Sequence, residues 1–271
     1  MKHLLLTILI TTIYSSNAQV VLEANGPGDT YELINSVFAL PNKDVVETPD
    51  CNHTDFGRHI DEVFDTELNK NVFRFHIHVS PDNDRCKKDD RQRNEIKSYG
   101  SSPENLKGTI GEIVIYKWKF RLSKNIKPSY GFTHIHQIKS VEGPYAGLPL
   151  YTLTLRKGNP DKLELRYTET TKQQTLKKTD LSPFKGTWVE VTEVIEYGTK
   201  KAYSLDIKRI SDGQSLFSYS NSSISNWHKD AKFARPKWGI YRSLKNQQDL
   251  KDEIVKFADF SIEETNNLST K

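Results

Sequence analysis

The chain predicts an all-β fold, a two-sheet β-sandwich of the concanavalin-like jelly-roll type, and three observations lead there. Short runs rich in β-branched and aromatic residues recur along most of the 271 residues. Turn signals separate them, among them Lys157-Gly158-Asn159-Pro160, Tyr197-Gly198 and Ser211-Asp212-Gly213. No Pro/Gly/Ser linker, internal repeat or low-complexity tract divides the chain. About ten such runs, with turns every 8 to 14 residues, suit a sandwich better than a parallel α/β fold.

Residues 1–18 read as a secretory signal. Met1-Lys2-His3 precede an apolar run from Leu4 to Ile13, and Ser16-Asn17-Ala18 places small residues at the two positions a signal peptidase reads. The run is too short to cross a bilayer and does not recur, so no membrane anchor is expected. Residues 19–271 then form one exported domain, expected to be monomeric. Export permits a disulfide between the two cysteines, Cys51 and Cys86. Three triplets, at Asn52, Asn221 and Asn267, match the short glycosylation pattern.

Residues 19–50, punctuated by Gly, Pro and Asp, read as an irregular lead-in with one edge strand. In 59–68, Ile60, Val63, Phe64 and Leu68 fall at helical spacing and predict a short helix. Over 72–79, Val72, Arg74, His76 and His78 alternate with Phe73, Phe75, Ile77 and Val79, the pattern of a half-buried strand. Further strands are predicted at 91–97, 112–122, 131–140, 150–156, 162–168, 187–197, 201–209, 236–242 and 254–263.

The formal net charge is only +4, yet basic residues cluster in three of these stretches, which points to an anionic partner. In an exported protein with carboxylates interspersed throughout, an acidic polysaccharide suits that role better than nucleic acid. Strand alternation places Arg93, Glu95 and Lys97 on one face, Gln137 and Lys139 on one face, and Arg235, Lys237 and Tyr241 on one face. Glu95 could then orient the cations and leave Arg93 to fork onto a substrate carboxylate. The same alternation turns His134 and His136 to the opposite side, unless a bulge shifts the strand by one residue and brings His134 into the groove. Each cluster also has a plainer reading as a solvated strand face held by cross-strand ion pairs.

Other candidates carry less. His76 and His78 have metal-ligand spacing, but no carboxylate or third histidine completes a recognisable set, so they read as a satisfied surface pair. Glu190, Glu193 and Glu196 resemble a glycosidase pair only loosely, since Glu193 faces away from the other two, and they read as a solvated edge. Trp118, Trp188 and Trp227 read as core or rim residues, whereas Trp238, inside a basic stretch, could line the groove.

Arg93-Asn94-Glu95-Ile96-Lys97, Gln137-Ile138-Lys139 and Lys237-Trp238-Gly239-Ile240-Tyr241 occur in the order of the three motif strands of jelly-roll polysaccharide lyases. In the alginate lyases of that group these motifs run Arg-x-Glu-Leu-Arg, Gln-Ile-His and Lys-x-Gly-x-Tyr. The likeness covers roughly residues 70–263. Lys139 stands where the alginate enzymes carry histidine, and with Tyr241 it resembles the ulvan lyases of polysaccharide lyase family twenty-eight. The resemblance implies β-elimination at a uronic acid, with Lys139 and Tyr241 as the proton-transfer pair. Arg93 and Gln137 would hold the substrate carboxylate, and His134, Lys97, Arg235 and Lys237 would line the cleft. It implies no cofactor for the chemistry, and a structural calcium away from the cleft, as several jelly-roll lyases have, is possible. His134 is the competitor of Lys139 as base, and the alternatives in function are a lyase for glucuronan, alginate or heparin-like glycans, a non-catalytic carbohydrate-binding protein and a glycoside hydrolase.

Overall fold

The computed structural model describes residues 19–265. The expected signal segment and the Asn267 triplet lie outside the described residues. Two antiparallel sheets face each other. One has the strand order β13-β12-β11-β6-β15-β4-β3, with β1 also paired to β15. Its members are β1 (Gln19–Leu22), β3 (Ile60–Asp65), β4 (Lys70–Ile77), β6 (Ile113–Arg121), β11 (Trp188–Glu196), β12 (Lys201–Arg209), β13 (Ser215–Ile224) and β15 (Glu253–Thr265). The other has the order β10-β9-β8-β7-β14-β5-β2. It consists of β2 (Val46–Glu47), β5 (Arg91–Lys97), β7 (Thr133–Val141), β8 (Tyr151–Arg156), β9 (Lys162–Thr168), β10 (Gln173–Asp180) and β14 (Phe233–Ser243). The described residues contain no helix long and apolar enough to cross a membrane.

Between the sheets, Trp238 is fully buried against Phe38, Trp118, Tyr116 and Phe260, at ring separations of 5.2–6.4 Å. Trp238 therefore belongs to the core and does not line the groove, because alternation along β14 turns it away from Lys237. Glu193 also points inward. Its carboxylate meets His136 Nε2 at 2.7 Å and accepts from the Tyr203 hydroxyl at 2.8 Å, while His136 Nδ1 donates to the Lys237 carbonyl. Glu193 is thus a buried, fully partnered group and no part of a solvated edge.

The helix expected over 59–68 is instead β3, a hairpin partner of β4. Ile60–Asp65 pairs residue for residue with Phe75–Lys70, and the Asp65 carboxylate accepts from the amides of Glu67 and Leu68 to close the turn. Asn69 in the left-handed region completes it. Cross-strand pairing outweighs the helical spacing of the apolar residues. The lead-in holds more than one edge strand: besides β1 and β2 it contains α1 (Thr30–Phe38), which buries Thr30, Ile34 and Phe38 at four-residue spacing. Strands β10 and β13 carry few apolar residues because each is the outermost strand of its sheet. Cys51 and Cys86 form the expected disulfide, with Cα atoms 6.3 Å apart.

Candidate active site

A groove of about 700 Å³ runs over the outer face of the seven-stranded sheet, and the three motif strands form its floor. β14 is central, with Tyr241 paired to Arg93 on β5 and to His134 on β7, and Lys237 paired to Lys97 and Gln137. Of the residues expected there from alternation, Arg93, Lys97, Gln137, Lys139, Arg235, Lys237 and Tyr241 line it, while Glu95 is buried beneath them. His134 lines it too. One extra residue of β7 is accommodated opposite β8 between His134 and His136, so Ile135 and His136 both turn inward and His134 comes out beside the cations. A matching shift on β14 falls between Trp238 and Tyr241. There Gly239 sits at φ +142°, and a Cβ would lie 2.1 Å from the Asn94 carbonyl oxygen, so the strand can approach β5 only with glycine.

The β5 wall is closed by ion pairs. Arg93 forks onto Asp84, Nε to Oδ1 at 2.8 Å and Nη2 to Oδ2 at 3.2 Å, and its Nη1 donates to Glu95. Its guanidinium carbon lies over the face of the Tyr241 ring, 3.7 Å from the centroid. Burial opposes this charge, but Glu95, Asp84 and Glu47 hold Arg93 firmly protonated. Lys237 donates to Glu95 at 2.5 Å and also to Glu47, and Lys97 donates to Glu47 at 2.7 Å. Glu95 is fully buried and also accepts from the Gln137 amide. Burial would raise the Glu47 and Glu95 carboxyls, yet Lys237 and Arg93 keep both below the usual carboxylate range, with Lys97 adding to the effect at Glu47. Asp84 and Glu47 come from outside the motif strands and were invisible to motif reading. Glu47 sits on a two-residue strand and Asp84 in a charged loop, so neither has a periodic signal.

The opposite wall lacks such partners. Lys139 donates only to the Gly147 carbonyl, at 3.2 Å, and forms no ion pair among the described residues. Burial lowers its ammonium pKa, and the like charges of Lys237, Arg235 and Arg93 lower it further, to about 7. Arg235 is 7 % exposed, stacks on the Tyr99 ring at 4.9 Å, and has no carboxylate partner among the described residues. Its Nε and Nη1 are buried without hydrogen bonds. His134 Nδ1 lies 2.9 Å from the Thr154 hydroxyl, whose proton goes to the Thr133 carbonyl at 3.0 Å. Thr154 therefore accepts, Nδ1 carries the proton, and Nε2 keeps its lone pair. Burial and the cations Arg156 and Arg93 push the His134 pKa well below that of a free imidazole, so the ring is neutral.

Tyr241 stands where the walls meet, with Phe132 at 4.9 Å and His134 at 5.8 Å. Its oxygen accepts from Arg91 Nη1 at 3.1 Å, which leaves the phenolic proton free to be donated elsewhere. Arg91 is itself clamped by Asp90 at 2.7 and 2.5 Å. The groove therefore brings together a near-neutral amine, a phenol oriented by a cation, and a buried guanidinium with unused donors.

No protein-family model matches the sequence, and no curated protein matches it. Solved structures do. An endo-β-1,4-glucuronan lyase from the fungus Trichoderma reesei superposes over 83% of this chain and 92% of its own, at 16% identity and a TM-score of 0.55. The marine PL-14 alginate lyase from Aplysia kurodai covers 90% and 98%, at 12% identity and 0.57. Alginate lyase A1-II′, a member of polysaccharide lyase family 7, covers 82% and 94%, at 14% identity and 0.55. The fold is that of the jelly-roll polysaccharide lyases. Within this lyase fold the expectation of an all-β two-sheet sandwich is met, and the three motif strands lie side by side as the floor of one groove.

Proposed function

We propose that the chain is a secreted polysaccharide lyase that cleaves a uronic-acid-containing anionic polysaccharide by β-elimination, with ulvan the favoured substrate. The observation that carries this reading is Lys139: an amine with no ion pair among the described residues, lowered to about 7 by burial and neighbouring cations, on the same groove as Tyr241. Elimination needs a group that takes the C5 proton, a partner for the adjacent carboxylate as negative charge spreads onto it, and an acid for the departing O4. Lys139 Nζ takes the proton from C5, the C5–H electrons become the C4–C5 double bond, the C4–O4 bond breaks, and Tyr241 protonates O4. Because the Arg93 fork is occupied by Asp84, the carboxylate falls to Arg235 and Gln137, and Arg93 acts by holding the Tyr241 ring.

Ring stereochemistry sharpens the assignment. In iduronate the C5 proton and O4 lie on opposite faces, which calls for two groups, whereas in glucuronate they share a face and Tyr241 alone could shuttle the proton. A hydrolase would need two carboxylates across the groove, and those present, Glu47 and Asp84, are already committed to cations. The test is incubation of the secreted protein with ulvan, glucuronan, alginate and heparin while following ultraviolet absorbance of unsaturated uronate ends. Absorbance growing with ulvan supports the proposal. Reducing ends without absorbance, or binding without either, would replace it with a hydrolase or a binding protein.

A further inference from the structure

His78, expected to pair with His76 as a surface couple, does something else. His76 is satisfied by Asp61 at 3.0 Å, while His78 turns toward a separate cluster with His53, His59 and Asp82. One donor atom from each of the four lies within 4.8 Å of all the others. His53 Nδ1 is 2.7 Å from Asp82 Oδ1, His59 Nε2 is 3.1 Å from the same oxygen, and His78 Nδ1 is 3.2 Å from Oδ2. His59 and Asp82 are buried, and the Phe56 ring lies over the group, 4.3 Å from His78 and 4.7 Å from His59.

We propose that His53, His59, His78 and Asp82 form a structural binding site for a divalent transition metal of the zinc class. Three imidazole nitrogens and one carboxylate make a closed four-donor set of the kind such ions take in tetrahedral structural sites. The set is wrong for calcium or magnesium, which demand oxygen donors. An independent feature points the same way. The far nitrogen of His59, Nδ1, meets Asp50 Oδ1 at 2.7 Å, and Asp50 in turn accepts from the Tyr31 hydroxyl at 2.8 Å. A ligating histidine oriented by a carboxylate on its other nitrogen is the usual outer support of a metal-bound imidazole.

The surroundings give the ion something to hold. Its ligands come from two separated segments, the stretch before β3 and the loop after β4, and the Cys51–Cys86 bridge ties the first to the loop that follows Asp82. That loop carries Asp84, the partner of Arg93. From the inner face of β5, Gln92 donates to the Asp82 carbonyl at 2.9 Å, and Asn94 donates to the His59 carbonyl at 2.7 Å. A metal here would fix the Asp84 loop against the back of the β5 wall. The site does not depend on the reaction proposed for the groove.

Dialysis of the full chain against Zn²⁺, then metal analysis and thermal unfolding, tests the assignment. The expected result is about one Zn²⁺ per chain and a raised unfolding midpoint, with no response to Ca²⁺ or Mg²⁺. Co²⁺ in place of Zn²⁺ should give the visible absorption of a tetrahedral site. His53→Gln, at a half-buried position, should bind less than wild type, and Asp50→Asn, with all four ligands intact, should weaken zinc affinity by about 10- to 100-fold. Zinc content at background in the wild-type chain, or equal binding in His53→Gln and wild type, would overturn the proposal and leave the imidazoles as hydrogen-bond donors to Asp82.

Discussion

Both walls of the groove are rich in cations, but they are built to different ends. On the β5 side the three motif-strand cations each have a carboxylate: Arg93 has Asp84 and Glu95, Lys97 has Glu47, and Lys237 has Glu47 and Glu95. On the other side Lys139 and Arg235 have none among the described residues, and His134 is neutral. Ion pairs fix the geometry of the first wall, although burial still lowers the Lys237 ammonium to about 8 and the Lys97 ammonium below its usual value, whereas Lys139, with no ion pair, falls to about 7. On the proposed mechanism the first wall holds the site together and the second carries the proton transfer, although composition makes the two look alike.

The largest effect that would break this division is at Lys139. Lys139→Ala should lower turnover by about 10²- to 10⁴-fold, the usual contribution of a positioned proton-transfer group, with the fold intact. Release of unsaturated product at near wild-type rate would move the base to His134. Arg93 should behave in the opposite way. Arg93→Met strands Asp84 and Glu95 without their shared cation, and loss of one partner of a buried pair costs about 3–5 kcal/mol. Denaturant unfolding should therefore show a large stability loss, with turnover reduced only as far as Tyr241 is displaced.

Replacing Cys51 and Cys86 together by serine should cost about 2–4 kcal/mol, since the bridge closes a 35-residue separation behind the Asp84 loop. Calorimetry would measure it. Arg235→Gln is expected to leave stability unchanged or raised, because its guanidinium has buried donors without partners. Its apparent Michaelis constant should rise by about 10- to 100-fold, the equivalent of a charged hydrogen bond of about 1.5–3 kcal/mol. Unchanged kinetics in Arg235→Gln on every uronate polymer would send the carboxylate back to Arg93.

Much of the groove could be read from the chain because a strand's period of two is strict. Arg93 with Lys97, Gln137 with Lys139, and Arg235 with Lys237 and Tyr241 reach one surface by alternation alone. His134 joins them through a bulge, which alternation cannot foresee though it could be weighed as an alternative. Glu47, Asp84 and Phe132 were missed because they lie on a minimal strand or in loops, where position follows tertiary contacts. The histidine cluster was hidden for a similar reason. Its ligands are spread over two segments far apart in the chain, and the two-residue spacing of His78 points to His76 as its partner. The polar outer strands β10 and β13 and the helix α1 were lost to weak apolar patterns. The predicted helix at 59–68 failed because hairpin pairing with β4 overrode the local spacing.

The dependence of kcat/KM on pH tests the division of the two walls most directly, with ulvan as substrate. For a base that must be unprotonated, the rate falls as pH drops below its pKa, so Lys139 places an acid-side limb near pH 7. That limb is expected in the wild-type protein and should disappear from the residual activity of Lys139→Ala. A limb well below pH 6.5, kept in Lys139→Ala and lost in His134→Ala, would contradict it.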